Sequence, residues 1–228
     1  TLRIWDVSGS PIDGSRIRET SDDSAKTELS QVRLLAVVPL RSWGHCVAWS
    51  PDGKRIAYGG GVNDDGQTKL CQILDVATVK PRSLKVESIL ESLAWSPDSR
   101  SLCVREHGLA TLFDAASGEK RAALTAPDVK PGDTIFNGAV AWSPDGRWIA
   151  GSQRQQVRIW DAESRQHQRT ITTEFSNCVH SIAWHKDSQL LAVTGEGGTG
   201  TTCFIFDTTT GEVAAQGPGA FADDAQGD

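Results

Sequence analysis

The residue types that could do chemistry are few and scattered. Gly195-Glu196-Gly197-Gly198-Thr199-Gly200 has the glycine spacing of a dinucleotide loop. Such a loop works between a strand and a helix, where the helix N-terminus meets the pyrophosphate. Thr202 to Phe206 follows here and reads as a strand, so a flexible hairpin loop is expected instead. Ser50, Ser96 and Ser143 each stand two residues before an Asp. A turn serine with no base beside it is not a nucleophile. No GxxxxGK[ST], HExxH, GxSxG or EF-hand loop occurs. His107 and His167 read as exposed, and Asp64-Asp65 beside Gly66 as solvated rather than as a cation site. Cys46, Cys71, Cys103, Cys178 and Cys203 are odd in number, widely spaced and without a CxxC. They predict neither a disulfide framework nor a zinc knuckle, but five small buried hydrophobes. No catalytic residue, no metal ligand, no cofactor-binding residue and no cofactor are expected.

The composition of the 228 residues narrows the class further. Net charge is −6, with 23 Lys and Arg against 29 Asp and Glu. That balance argues against a general electrostatic grip on nucleic acid. No run approaches the ~18 apolar residues of a membrane span. Unpaired thiols suit a reducing compartment, so a cytoplasmic location is expected. The chain opens Thr1-Leu2-Arg3 and has no Met, so a segment of a longer protein is expected.

What must position any functional group is a repeat. Val47-Ala48-Trp49-Ser50-Pro51-Asp52-Gly53 recurs as Leu93 to Ser99, Val140 to Gly146 and Ile182 to Ser188, at steps of 46, 47 and 42 residues. A second signature trails each copy: Ile73-Leu74-Asp75, Leu112-Phe113-Asp114, Ile159-Trp160-Asp161 and Ile205-Phe206-Asp207. A fifth, Ile4-Trp5-Asp6, opens the chain without a first half. Period-2 alternation marks short strands, and Ser-Pro-Asp-Gly is a hairpin turn in which Pro presets φ and Gly accepts a positive one. Third strands are expected at Leu70 to Leu74, Ala110 to Phe113, Val157 to Trp160 and Cys203 to Phe206, with polar Arg158 between apolar Val157 and Ile159. Weaker fourth strands are expected at Arg33 to Val38, Leu84 to Leu90, Arg121 to Leu124 and Arg169 to Thr172. Four short strands per repeat of this length describe one blade of a propeller.

These residues resemble the WD40 repeats of the β-propeller family. The Trp-Ser-Pro-Asp-Gly turn is similar to the family's first hairpin, and the terminal Trp-Asp is intact at Trp5-Asp6 and Trp160-Asp161. The family's Gly-His pair occurs once, as Gly44-His45; His180, Glu91 and Gly138 hold the place of His45 in the other repeats. The resemblance casts His45 and His180 as blade-capping hydrogen-bond groups. The family's buried Asp is replaced by Thr68, His107, Arg154 and Gly200, so sheet packing rather than the family's hydrogen-bond network is expected to hold the blades. The turn element is also similar to that of TolB-like propellers.

The expected fold class is therefore all-β, a WD40-type propeller of about four full blades plus a partial N-terminal blade. A single propeller segment, 1–228, would comprise a partial blade at 1–38 with a polar insertion at 8–31, blades near 39–90, 91–125, 135–174 and 175–216, and a polar tail at 217–228. The resemblance implies a non-catalytic scaffold that binds protein or peptide partners on its loop face, with no nucleic acid or membrane; oligomeric state is left open. Partner-contact candidates on that face are Arg41, Trp43, Asp64, Glu91, His107, Asn137, Arg154, Asn177 and His180. Trp43 heads them because an exposed Trp is a frequent interface anchor. The alternatives are a regulatory or sensory propeller of a larger signalling enzyme, such as a bacterial serine/threonine kinase, and a TolB-like or peptidase-associated propeller.

Overall fold

The structure is a computed structural model that describes residues 2–6, 33–38, 44–61, 70–106, 109–127, 138–197 and 200–217. The described residues form strands and turns with no helix. The chain divides into two compact units, Thr1–Arg41 and Ser42–Asp228. In the smaller unit β1 (Leu2–Asp6) pairs antiparallel with β2 (Arg33–Val38), with a bulge between Ile4 and Trp5. Expectations for 8–31 and 218–228 lie outside the described residues.

The larger unit holds four antiparallel four-stranded sheets, each built from consecutive strands. The first is β3 (Gly44–Trp49), β4 (Arg55–Gly60), β5 (Leu70–Asp75) and β6 (Lys80–Ser83). The second is β7 (Leu90–Trp95), β8 (Ser101–Glu106), β9 (Leu109–Asp114) and β10 (Lys120–Leu124). The third is β11 (Val140–Trp142), β12 (Trp148–Gln153), β13 (Gln156–Asp161) and β14 (His167–Thr172). The fourth is β15 (Val179–Trp184), β16 (Leu190–Gly197), β17 (Gly200–Asp207) and β18 (Val213–Gln216).

Local chemistry explains the hairpins. Ser50 Oγ donates to Asp52 Oδ1 at 2.5 Å and accepts from the Arg55 N–H at 2.9 Å, while the Lys54 N–H reaches Asp52 Oδ1 at 3.0 Å. Ser96 with Asp98 and Ser143 with Asp145 repeat this arrangement. In the fourth copy His185 takes the serine's place, its Nδ1 2.9 Å from Asp187 Oδ1. The turn ends on a positive φ at Gly53, Ser99, Gly146 and Ser188. Between third and fourth strands an Asp closes each connection: Asp75, Asp114, Asp161 and Asp207 accept backbone N–H groups two or three residues ahead.

One strand-level expectation is corrected. The fourth strand of the first sheet is Lys80–Ser83, not Leu84 to Leu90. Asp75 binds the Thr78 N–H and hydroxyl, and Val79 turns at φ 55°, so pairing starts at once with Asp75 opposite Lys80. Leu84 and Val86 are buried in the connection, and Leu90 opens β7. Arg158, the polar residue between apolar Val157 and Ile159, is itself only 4% exposed. Sheets two and three are covered on both faces, so β8 is buried along its whole length and β12 nearly so. A strand between two neighbours loses the exposed face that period-2 alternation assumes. Three apolar clusters fill the junctions between sheets. Leu102, Val104 and Phe113 pack with Ile73 and Leu90; Cys103, Leu112 and Ile149 with Trp160; and Val157, Ile159 and Ile171 with Leu191, Val193 and Phe206.

Candidate functional site

Of the nine partner-contact candidates, Arg41, Trp43, Asp64, His107 and Asn137 lie outside the described residues. The other four fall at two places where consecutive sheets meet.

Arg154, Asn177 and His180 converge between sheets three and four. Arg154 sits in the β12–β13 turn at φ 53°, and its carbonyl accepts the Val179 N–H at 2.8 Å. Asn177 Nδ2 donates to Glu196 Oε2 at 2.7 Å, and His180 Nε2 lies 3.6 Å from Glu196 Oε1. All three side chains are exposed. Glu196 is the residue that the sequence reading treated only as part of the glycine-rich stretch. Its neighbours explain the glycines: Gly197 pairs with Gly200 in the β16–β17 hairpin, and a Cβ at Gly195 would lie 2.5 Å from the Cys178 carbonyl and 2.7 Å from Phe175 Cδ2. The expected hairpin is present as the β16–β17 pair, but at Gly195 it is close-packed rather than flexible, and residues 198–199 lie outside the described residues.

Glu91 is held differently. Its side chain is 8% exposed and faces Arg105, 2% exposed, with Arg105 Nε 3.2 Å from Glu91 Oε2. Burial pushes the Glu91 carboxyl up, against the pull of Arg105, and burial lowers the Arg105 guanidinium. Both Glu91 oxygens and Arg105 Nε and Nη2 are buried without a well-aligned hydrogen bond among the described residues. Gly138, at the same repeat position in sheet three, presses on this pair: a Cβ there would come within 1.7 Å of Arg105 Nε. Glu91 thus faces a sheet junction rather than solvent. The neighbouring Glu106 carboxylate is also buried but receives the Glu87 and Ser88 N–H groups.

All five cysteines are free thiols, and burial pushes Cys46 and Cys103 up to about 12 and raises Cys71 and Cys178 as well. A thiol is a poor nucleophile when its thiolate is so disfavoured. Among the described residues, no group of three or more His, Cys, Asp or Glu could hold a metal ion. No helix among them is long and apolar enough to cross a membrane.

Stacked four-stranded sheets, each opened by a Trp-containing strand and closed by an Asp-capped turn, are blades of a β-propeller. Residues 137–161 and 165–207 match the WD40 family, described as WD domain, G-beta repeat. No curated protein is similar enough to match. Among solved structures, one from a mitotic checkpoint complex is similar with a TM-score of 0.66 and 23% identity, over 85% of this chain and 56% of that one. Hydrazine synthase of Kuenenia stuttgartiensis is similar with a TM-score of 0.61 and 19% identity, over 75% of this chain and 47% of that one. At such identities the likeness is one of fold, and the chain spans about half the length of the structures it matches.

Proposed function

We propose that this chain is a non-catalytic scaffold that binds a protein partner through the loop face around Arg154, Asn177, His180 and Glu196. The observation that carries the reading is the convergence of these groups from two adjacent sheets. Asn177 and His180 both meet Glu196, and the Arg154 carbonyl ties the neighbouring turn to the same strand. Exposed polar groups held on a rigid frame are what a recognition surface needs. Among the described residues, the raised thiols and the scattered histidines leave no activated nucleophile to favour a catalytic reading. The free cysteines suit residence in a reducing compartment, in keeping with a cytoplasmic scaffold.

The test is site-specific photocrosslinking in the native host. A photoreactive residue at Arg154 and another at Asn177 are compared with one at Lys120, exposed in β10. The same protein should be captured from the first two positions and not from the third. Equal capture at all three, or none at Arg154 and Asn177, would overturn the reading.

A further inference from the structure

The three sheet junctions of the larger unit present the same set of backbone acceptors, and each treats them differently. Between sheets one and two, Arg55 reaches across from β4. Its Nη2 donates to the Ser99 carbonyl at 2.5 Å and its Nη1 to the Ala115 carbonyl at 3.2 Å. The guanidinium lies over the Trp95 ring, 5.1 Å from its centroid, and 3.8 Å from Asp52 Oδ2. Between sheets two and three, the residue at the place of Arg55 is Ser101, and the place of Trp95 is held by Trp142. Trp142 turns its own indole N–H onto the Gly146 carbonyl, the counterpart of Ser99, at 3.1 Å. That acceptor is served from within.

Between sheets three and four it is not. The counterparts are Trp148 for Arg55, Trp184 for Trp95, Ser188 for Ser99, Thr208 for Ala115 and Asp145 for Asp52. This junction is built like the first: the Asp145 N–H donates to Ser188 Oγ at 3.1 Å, as the Asp52 N–H does to Ser99 Oγ at 3.0 Å. The Trp184 N–H is spent on the Ala141 carbonyl, as that of Trp95 is on Ala48. No donor among the described residues reaches the Ser188 or Thr208 carbonyl. With no arginine at the place of Arg55, a cleft of about 490 Å³ opens, lined by all five counterparts. That volume is in the range of sites that take small ligands or single side chains.

We propose that this cleft takes the guanidinium of an arginine side chain from a protein partner. Two carbonyl acceptors and one indole face are the elements that hold Arg55, and a planar fork of donors suits them where a compact ammonium does not. Arg147 and Arg169 also line the cleft, but neither bonds the Ser188 or Thr208 carbonyl. Arg147 lies over the Trp148 ring at 4.5 Å, and Arg169 lies against Gly211 beside Asp207, whose carboxyl it helps to lower. With Asp145 and Asp187 opposite them, the lining is close to neutral, so recognition rests on geometry rather than on net charge.

The test titrates the whole chain with N-acetyl-arginine amide and follows the indole N–H resonances of Trp148 and Trp184. It needs no protein partner, so its failure would leave the loop-face scaffold standing. Saturable shifts at both resonances are expected, with N-acetyl-lysine amide roughly tenfold weaker. Trp148→Arg supplies in place the side chain that the first junction has, and should abolish the response while the other indole signals stay dispersed. Trp184→Leu removes the aromatic wall and should weaken binding roughly tenfold. Should Trp148→Arg fail to fold, Trp184→Leu decides. No saturable shift, equal affinity for the two amides, or an unchanged affinity in the deciding variant would overturn the assignment.

Discussion

A hydrogen atom where other residues carry a methyl group decides how the second and third sheets meet. Gly138 has room for no Cβ, because Arg105 Nε occupies the space one would need. Moving Arg105 away would separate a buried guanidinium from Glu91, its partner at 3.2 Å. Removing one member of a buried pair is costly because the other stays desolvated. Gly138→Ala should therefore destabilise the protein by about 1–3 kcal/mol, the usual cost of overpacking. Gly217→Ala is the matched control, since a Cβ there meets only ordinary contacts at 3.7 Å and beyond. Urea unfolding of the two variants measures the difference, and equal midpoints would refute the argument. Alignment of the repeats put Glu91 and Gly138 at one position, which made both visible in the sequence. Their meeting was not legible, because the residue that joins them, Arg105, comes from the next strand and carries no repeat signal. Arg55 was hidden for the same reason: it is a single arginine at a position that differs in every copy.

At the scale of the element, the turns were the most legible part of the chain. Ser-Pro-Asp and the terminal Asp act within a few residues of themselves, so sequence spacing nearly equals spatial arrangement. The first sheet's fourth strand was misplaced because Lys80–Ser83 is wholly exposed and so has no apolar alternation to mark it. The turn aspartates carry a pH signature. Hydrogen bonds from backbone and side-chain donors hold Asp52, Asp75, Asp98, Asp114, Asp145, Asp161, Asp187 and Asp207 below the usual carboxylate range. For Asp114, where the Ser117 N–H and then Arg121 dominate, the value falls to about 2. A carboxyl lowered on folding stabilises fully above its unfolded value, near 3.8, and that contribution is lost as pH falls through the folded value. Stability should thus fall between about pH 4 and pH 2. Asp114→Asn should flatten part of that limb, read as the pH dependence of the urea midpoint. An identical slope in the variant would show that the turn carboxylate is not linked to folding.

In the larger unit, the repeat period defined the four sheets, because every copy keeps its tryptophan and its turn. The period left out what distinguishes one junction from the next. One is filled by Arg55, in one Trp142 bonds within its own turn, and one holds a cleft between Trp148 and Trp184. The placement of the repeated tryptophans has an optical consequence. An excited indole emits at longer wavelength when water can relax around it and at shorter wavelength when it is buried. Trp95 is 7% exposed with its N–H bound to the Ala48 carbonyl of the preceding sheet, whereas Trp49 is 51% exposed. Trp49→Phe should move the mean emission to shorter wavelength and leave the unfolding midpoint within about 0.5 kcal/mol of the parent, as surface substitutions do. A shift to longer wavelength would show that Trp49 is shielded from water. Trp95 and Trp184, each bonded across a different junction, then serve as two separate lamps. Of the eight tryptophans, each of these two must be read alone, with the other seven set to Phe; its colour then reports whether its own pair of sheets is still closed, so the order in which the blades part becomes readable in a cuvette.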